Sequence, residues 1–351
     1  MGTQRNFGKR QLAIAAGATL AVGLVAAAPA QAEAGRGSAS VVDGTLTIVG
    51  TVGDDGIAVG FDTGDPSKVV VDLGNGTLAQ EFDRNSFDTI SVFLRRGDDQ
   101  FQVVPGGTLA DEALTVVGGR GDDTIVGGDG NDNLFGRAGS DNIQGAGGTD
   151  LIISNSGRDS VNGNAGNDTE FLGRGDDEAL WNPGEGSDIV EGAGGGDTLI
   201  FNGSDSNEIM SLSADGNRAV FLRDLGLIRM DMDDVERFDL ATLGGVDTVD
   251  VNNLAGTDVG LVNVDLSAAV TGAGDADTVT VSGTNRADDV SVDADDSAVN
   301  VTGLRAATRI VGSETTDQLF VNSLGGNDEV DVSNAAEALI GVVVNLGAGQ
   351  L

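Results

Sequence analysis

The sequence predicts an all-β chain wound as a parallel solenoid, with a regular centre and irregular β-rich rungs on either side. Three observations predict it: a gapless nine-residue repeat, short apolar triplets between glycine-rich turns, and a longer repeat of about 80 residues outside the centre. Internal periodicity of this kind is the mark of stacked units that bury their apolar faces only against one another.

The first element is a leader. Arg5, Lys9 and Arg10 precede an Ala-rich apolar run from Leu12 to Ala28, followed by Ala30-Gln31-Ala32. A charged start, a short apolar run and an A-x-A site are the parts of a secretory signal peptide, here residues 1–32. Export is therefore expected, to the extracellular space or the cell surface. No later run approaches the length of a membrane span.

Without those residues the chain keeps 16 basic against 56 acidic residues, a formal charge of −40. Such a surface repels nucleic acid and anionic membranes, which need a basic footprint. It also repels itself unless cations neutralise it. Cysteine, histidine and tyrosine are absent, which removes disulfides, thiolate nucleophiles and every His-based triad. Neither an H-E-x-x-H nor a G-x-S-x-G motif is present, so no enzyme is expected. An extracellular polysaccharide-modifying enzyme built on a β-helix is the least favoured alternative, since residues 33–351 hold one lysine, Lys68.

Residues 40–117 are expected to form irregular β-rich rungs. From Gly118 the clock becomes strict: GGRGDDTIV, GGDGNDNLF, GRAGSDNIQ, GAGGTDLII, SNSGRDSVN, GNAGNDTEF and LGRGDDEAL run without a gap. Trp181 and Asn182 interrupt, and PGEGSDIVE and GAGGGDTLI complete the stretch 118–200. Every fourth position is Gly and every sixth is Asp: Asp123, Asp132, Asp141, Asp150, Asp159, Asp168, Asp177, Asp188 and Asp197. The eighth is Ile, Leu or Val except at Glu170 and Ala179. Gly supplies turns and close backbone approach, and the apolar eighth residue centres a very short strand.

Nine residues make half of a two-strand turn, so alternate repeats fall on the same edge. Asp123, Asp141, Asp159 and Asp177 then line one edge, and Asp132, Asp150 and Asp168 the other. At a strand spacing of about 4.8 Å, neighbouring carboxylates repel by roughly 3 kcal/mol at an effective dielectric near 20. A hard divalent cation resolves that repulsion, and oxygen-only ligands favour Ca2+ over Mg2+.

The nonapeptide G-G-x-G-x-D-x-U-x resembles the haemolysin-type, or RTX, calcium-binding repeat; GGRGDDTIV and GGDGNDNLF match it in full. The resemblance implies a parallel β-roll that holds several Ca2+ ions in its turns, through the nine aspartates and main-chain carbonyls of adjacent loops. Pro183 and Ser154-Asn155 depart from the pattern, and Trp181-Asn182 breaks the register.

The last stretch, 201–351, reads as two copies of the longer repeat continuing the solenoid. GSDSNEIMSL at 203–212 aligns with GTNRADDVSV at 283–292, and LGGVDTVDVNN at 243–253 with LGGNDEVDVSN at 324–334. A weaker third copy, GTVGDDGIAV, lies at 50–59. In these eroded repeats Asp55 and Asp99 are secondary cation candidates, while Glu208, Asp277 and Asp288 read as solvated turns. Asp231, Asp233 and Asp234 read as a solvated turn also, Trp181 as a core plug, and three Arg-Gly-Asp triplets as by-products of the turn pattern. The expected function is secreted calcium binding by a roll that folds and stiffens on Ca2+; the alternative is a cell-surface adhesin or matrix protein with structural Ca2+. No protein or polysaccharide partner is legible.

Overall fold

The computed structural model describes residues 36–347 apart from 63, 75, 77, 105–111, 268–274 and 296, so the leader expected over 1–32 lies outside the described residues. Each triplet after a turn aspartate is too short to hold together alone, and the chain solves this by stacking. Strands alternate between two sheets. Leu114–Arg120, Asn133–Ala138, Leu151–Ser156, Thr169–Arg174 and Ile189–Gly194 run side by side in the first. The second takes Thr124–Val126, Asn142–Gln144, Ser160–Asn162, Glu178–Trp181 and Thr198–Ser204.

Pairing is parallel and in register over one full turn, as in Leu134↔Ile152 on one sheet and Ile125↔Ile143 on the other. Eighth-position side chains point inward and are sealed from solvent, and with the flanking strands they form one apolar cluster. This is a parallel β-roll.

The two-residue insertion at Trp181-Asn182 lengthens one strand without breaking the stack, because Glu178↔Thr198 simply pairs at an offset of 20 residues. Trp181 is fully buried and stacks on Phe201 at 4.0 Å, from which an aromatic column continues through Phe221 to Phe238. Its indole N–H donates to the Gly186 carbonyl at 2.7 Å.

The flanks extend the same two sheets, with three antiparallel meanders inserted. They are Gly56–Phe61, Lys68–Asp72 and Gln80–Asp83; Ile209–Asp215, Arg218–Arg223 and Ile228–Asp233; and Asp289–Ala294, Ala298–Thr302 and Ala307–Val311. The second meander lies in the first sheet and the other two in the second sheet. The two C-terminal copies of the long repeat thus start on opposite sheets. Between Ile209 and Ser282 the chain visits the sheets five times, and an odd number hands the next copy to the other side.

Candidate metal centre

At each corner of the roll the chain must turn within a few residues while the sixth-position aspartate faces its neighbour one rung away. The aspartates form two ladders. On the edge leading into the second sheet, the Asp123 N–H donates to Asp141 Oδ1 at 2.9 Å, Asp141 to Asp159 at 2.8 Å, Asp159 to Asp177 at 2.7 Å and Asp177 to Asp197 at 3.0 Å. On the opposite edge Asp132 donates to Asp150 at 2.8 Å, Asp150 to Asp168 at 2.7 Å and Asp168 to Asp188 at 2.8 Å. All nine of the expected ligand residues stand in these ladders, and all are buried. The first ladder also runs upstream, since Asp55 donates to Asp99 at 2.8 Å and Asp99 to Asp123 at 3.0 Å.

One carboxylate oxygen is thereby satisfied, and the second decides the chemistry. In Asp99, Asp123, Asp141, Asp150, Asp168, Asp177 and Asp197 the buried Oδ2 has no hydrogen-bond partner within the protein. The cause is the residue four places earlier. Arg95, Gly119, Arg137, Ala146, Asn164, Gly173 and Ala193 all hold a positive φ, a left-handed turn that residues other than Gly adopt only at a cost. Where that residue keeps an ordinary φ, its N–H reaches the oxygen instead: Thr51 to Asp55 at 2.5 Å, Gly128 to Asp132 at 2.8 Å, Ser204 to Glu208 at 2.9 Å and Thr284 to Asp288 at 2.7 Å.

At Asp123, Asp141, Asp150, Asp168 and Asp197 the orphaned oxygen points into a cradle left by a first-position glycine. A Cβ on Gly118 would overlap Asp123 Oδ2 and lie 2.8 Å from the Gly136 carbonyl oxygen of the next rung. A Cβ on Gly136 would likewise overlap Asp141 Oδ2 and lie 3.0 Å from the Ser154 carbonyl. Each cradle is lined by carboxylate and carbonyl oxygen, the donor set of a hard cation. Buried anions without partners are costly, so the site demands either a proton or a metal.

Burial accordingly pushes these carboxyls up, opposed by the ladder hydrogen bonds and reinforced by neighbouring aspartates. Asp150 rises to about 8, Asp123, Asp141 and Asp188 to about 7, and Asp132, Asp168, Asp177 and Asp197 to about 6; Asp159 is also raised. Asp132, whose Oδ2 accepts the Gly128 N–H, stays lower than Asp150 of the same ladder. Glu170, at an eighth position, lies inside the core, accepts the Gly163 N–H at 2.7 Å and is raised by burial and by Asp188.

Two readings of the flanks are corrected. Glu208 and Asp277 were expected as solvated turns, yet they are 1% and 5% exposed. They belong to a third ladder that the nine-residue frame missed, in which Glu208 donates to Asp247, Asp247 to Asp277 and Asp277 to Asp317. Glu208 is neutralised from within by Arg223, whose guanidinium grips Glu208 Oε1, reaches Ser204 Oγ at 3.3 Å and lies over the Trp181 ring. Asp288, for its part, is held by the Thr284 hydroxyl at 2.9 Å and donates to Asp328.

Elsewhere, Asp231 and Asp233 are engaged by Arg218, while Asp233, Asp234 and Asp258 form a surface group of carboxylates. In the Arg-Gly-Asp triplets, the Asp98, Asp122 and Asp176 carboxylates accept backbone N–H groups of the next rung, from Asp122, Ser140 and Gly196.

The fold and its turns therefore define a parallel β-roll with carboxylate-lined corners that suit hard cations. Residues 115–143 and 144–179 each match the family model described as the RTX calcium-binding nonapeptide repeat (4 copies). No curated protein matches the chain. The centre of the chain, residues 115–179, thus carries RTX calcium-binding nonapeptide repeats.

Proposed function

We propose that this is a secreted protein whose central roll folds and stiffens when extracellular Ca2+ enters its turns, and that it works by binding, not by catalysis. The orphaned Oδ2 oxygens of the two ladders carry this reading. Ca2+ supplies the charge and the coordination that those oxygens lack. Asp123, Asp141, Asp150, Asp159, Asp168, Asp177, Asp188 and Asp197 would hold the ions with main-chain carbonyls, and Asp132 would contribute through the ladder. Without cations the like charges oppose closure of each turn; with them, every bound ion ties one rung to the next. Extracellular calcium modules bind at roughly 10⁻⁴ to 10⁻³ M, a range that leaves the roll open where calcium is scarce.

Secretion is supported by the leader pattern of residues 1–32 and by the match to RTX repeats. The binding role is supported by a sequence without His or Cys. Circular dichroism of the metal-free protein should gain β-structure on addition of millimolar Ca2+, and an unchanged spectrum would overturn the reading. Asp141→Ala should lose more bound calcium than Asp234→Ala, whose carboxylate lies at the surface; equal losses would sink the ladder assignment.

A further inference from the structure

We propose that the outer face of the second sheet carries a binding cleft for a neutral, polyhydroxylated ligand, a sugar chain. The cleft lies over strands Thr198–Ser204, Arg237–Leu243, Leu261–Asp265 and Ala307–Val311, away from the turn aspartates. Its volume is about 480 Å³, within the roughly 300–1,000 Å³ that small ligands occupy. The lining follows from register. Outward side chains of in-register parallel strands stand in transverse rows, one strand spacing apart. One such row holds Ile200, Asp239, Asn263 and Arg309, so its ends lie roughly 14 Å apart. Leu261 to one side of that row, and Ala241 and Val311 to the other, complete an aliphatic floor.

Three polar side chains are set before any ligand arrives. Asp239 Oδ1 accepts the Arg237 Nε–H and an Asn263 Nδ2–H, each at 2.7 Å. The second bond fixes which way the Asn263 amide faces and leaves its buried Oδ1 without a partner. A buried acceptor left unmatched calls for a donor. Arg309, beside it in the row, is loosely held: among the described residues its guanidinium reaches only Asp295, at 3.5 Å, and its side chain is 36% exposed. It can give way to a ligand hydroxyl and then donate to it.

Charge selects the ligand. Arg237 and Arg309 balance Asp239 and Asp265, so the cleft is neutral in a chain of formal charge −37. A carboxylated ligand would meet the two aspartates, and a cationic one the two guanidinium groups. A neutral sugar brings hydroxyl donors for Asn263 and the aspartates, acceptors for the arginines and C–H faces for the floor. A peptide has less to gain, because every strand under the cleft is paired on both sides and offers no free edge to main-chain bonding.

The test is calorimetric titration of the full chain, in millimolar Ca2+, with cellotriose, maltotriose and chitotriose, and with trigalacturonate as the charged counterpart. At least one neutral trisaccharide should bind. Asn263→Ala should weaken that binding about tenfold, as the loss of one hydrogen bond does. Arg309→Gln, at a side chain already open to solvent, should weaken it also while the circular dichroism spectrum stays that of wild type; it decides alone if Asn263→Ala fails to fold. Binding of no neutral trisaccharide overturns the site, as does binding of trigalacturonate alone. A neutral trisaccharide bound with wild-type affinity by Arg309→Gln, or by a folded Asn263→Ala, overturns it too.

Discussion

Stripped of metal, this protein should become more stable as the solution is made more acid between pH 8 and 5, the reverse of ordinary acid denaturation. The sign follows from the ladders. Burial pushes the folded Asp150 carboxyl up to about 8, Asp123, Asp141 and Asp188 to about 7, and Asp132, Asp168, Asp177 and Asp197 to about 6, against about 3.9 in an unfolded chain. A raised folded value means that the folded state holds the extra protons, so its stability is full below about pH 4 and is lost as pH rises through 6 to 8. Each extra proton contributes about 1.4 kcal/mol per pH unit. If two are retained, the slope is roughly 3 kcal/mol per pH unit, comparable with the roughly 3 kcal/mol of repulsion between carboxylates one strand spacing apart. The assay is β-structure content and its urea sensitivity by circular dichroism at pH 5.5, 6.5 and 7.5, on protein cleared of metal over a chelating resin. With saturating Ca2+ the trend should invert, because metal and proton compete for the same oxygens. A metal-free protein less stable at pH 5.5 than at pH 7.5 would refute the assignment of these carboxyls as buried anions awaiting a cation.

Two substitutions probe what surrounds the ladders. Gly157→Ala places a methyl against the Gly139 carbonyl of the rung below at φ +152°, so it should cost about 3 kcal/mol or more and raise the Ca2+ concentration for half-folding. Gly216→Ala, in an open turn at φ +73°, should cost about 1 kcal/mol, and equal effects would exclude the stacked glycine backbone. Arg223→Met strands Glu208 without its cation and should lower stability by about 3–5 kcal/mol with or without Ca2+. A loss seen only in metal-free protein would show that the pair depends on metal.

Much of the centre was legible because its period is strict: Gly at the fourth position, Asp at the sixth and an apolar eighth residue dictate two edges and a narrow core. The state of each carboxylate was not legible. It depends on the backbone four residues earlier, and Gly, Arg, Ala, Asn and Leu all take the same left-handed turn at Gly119, Arg137, Ala146, Asn164 and Leu243. No residue type marks that conformation. The third ladder escaped for another reason. Asp247 keeps the pattern in TLGGVDTVD, but Asp277 and Asp317 follow after 30 and 40 residues, and a nine-residue frame does not connect them. Glu208 looked eroded because its central Gly is gone, whereas the structure keeps the carboxylate and changes what satisfies it.

That exchange explains how a calcium-type turn persists where the repeat has decayed. A buried carboxylate oxygen must be matched by a hydrogen bond or a positive charge, or be protonated. In the centre, except at Asp132, where Gly128 donates, the left-handed second residue removes the local N–H and leaves the match to a cation. At the start of each flanking module, Thr51, Ser204 and Thr284 keep an ordinary backbone and offer both N–H and hydroxyl to Asp55, Glu208 and Asp288. Each of these turns leads directly into an antiparallel meander, whose hydrogen bonds need no ion. One ladder geometry therefore serves two kinds of rung, one closed by the chain's own donors and one open to cations. At the three flanking starts a Ser or Thr four residues before the turn carboxylate marks the closed rung, whereas Gly128 closes the rung of Asp132 by its N–H alone.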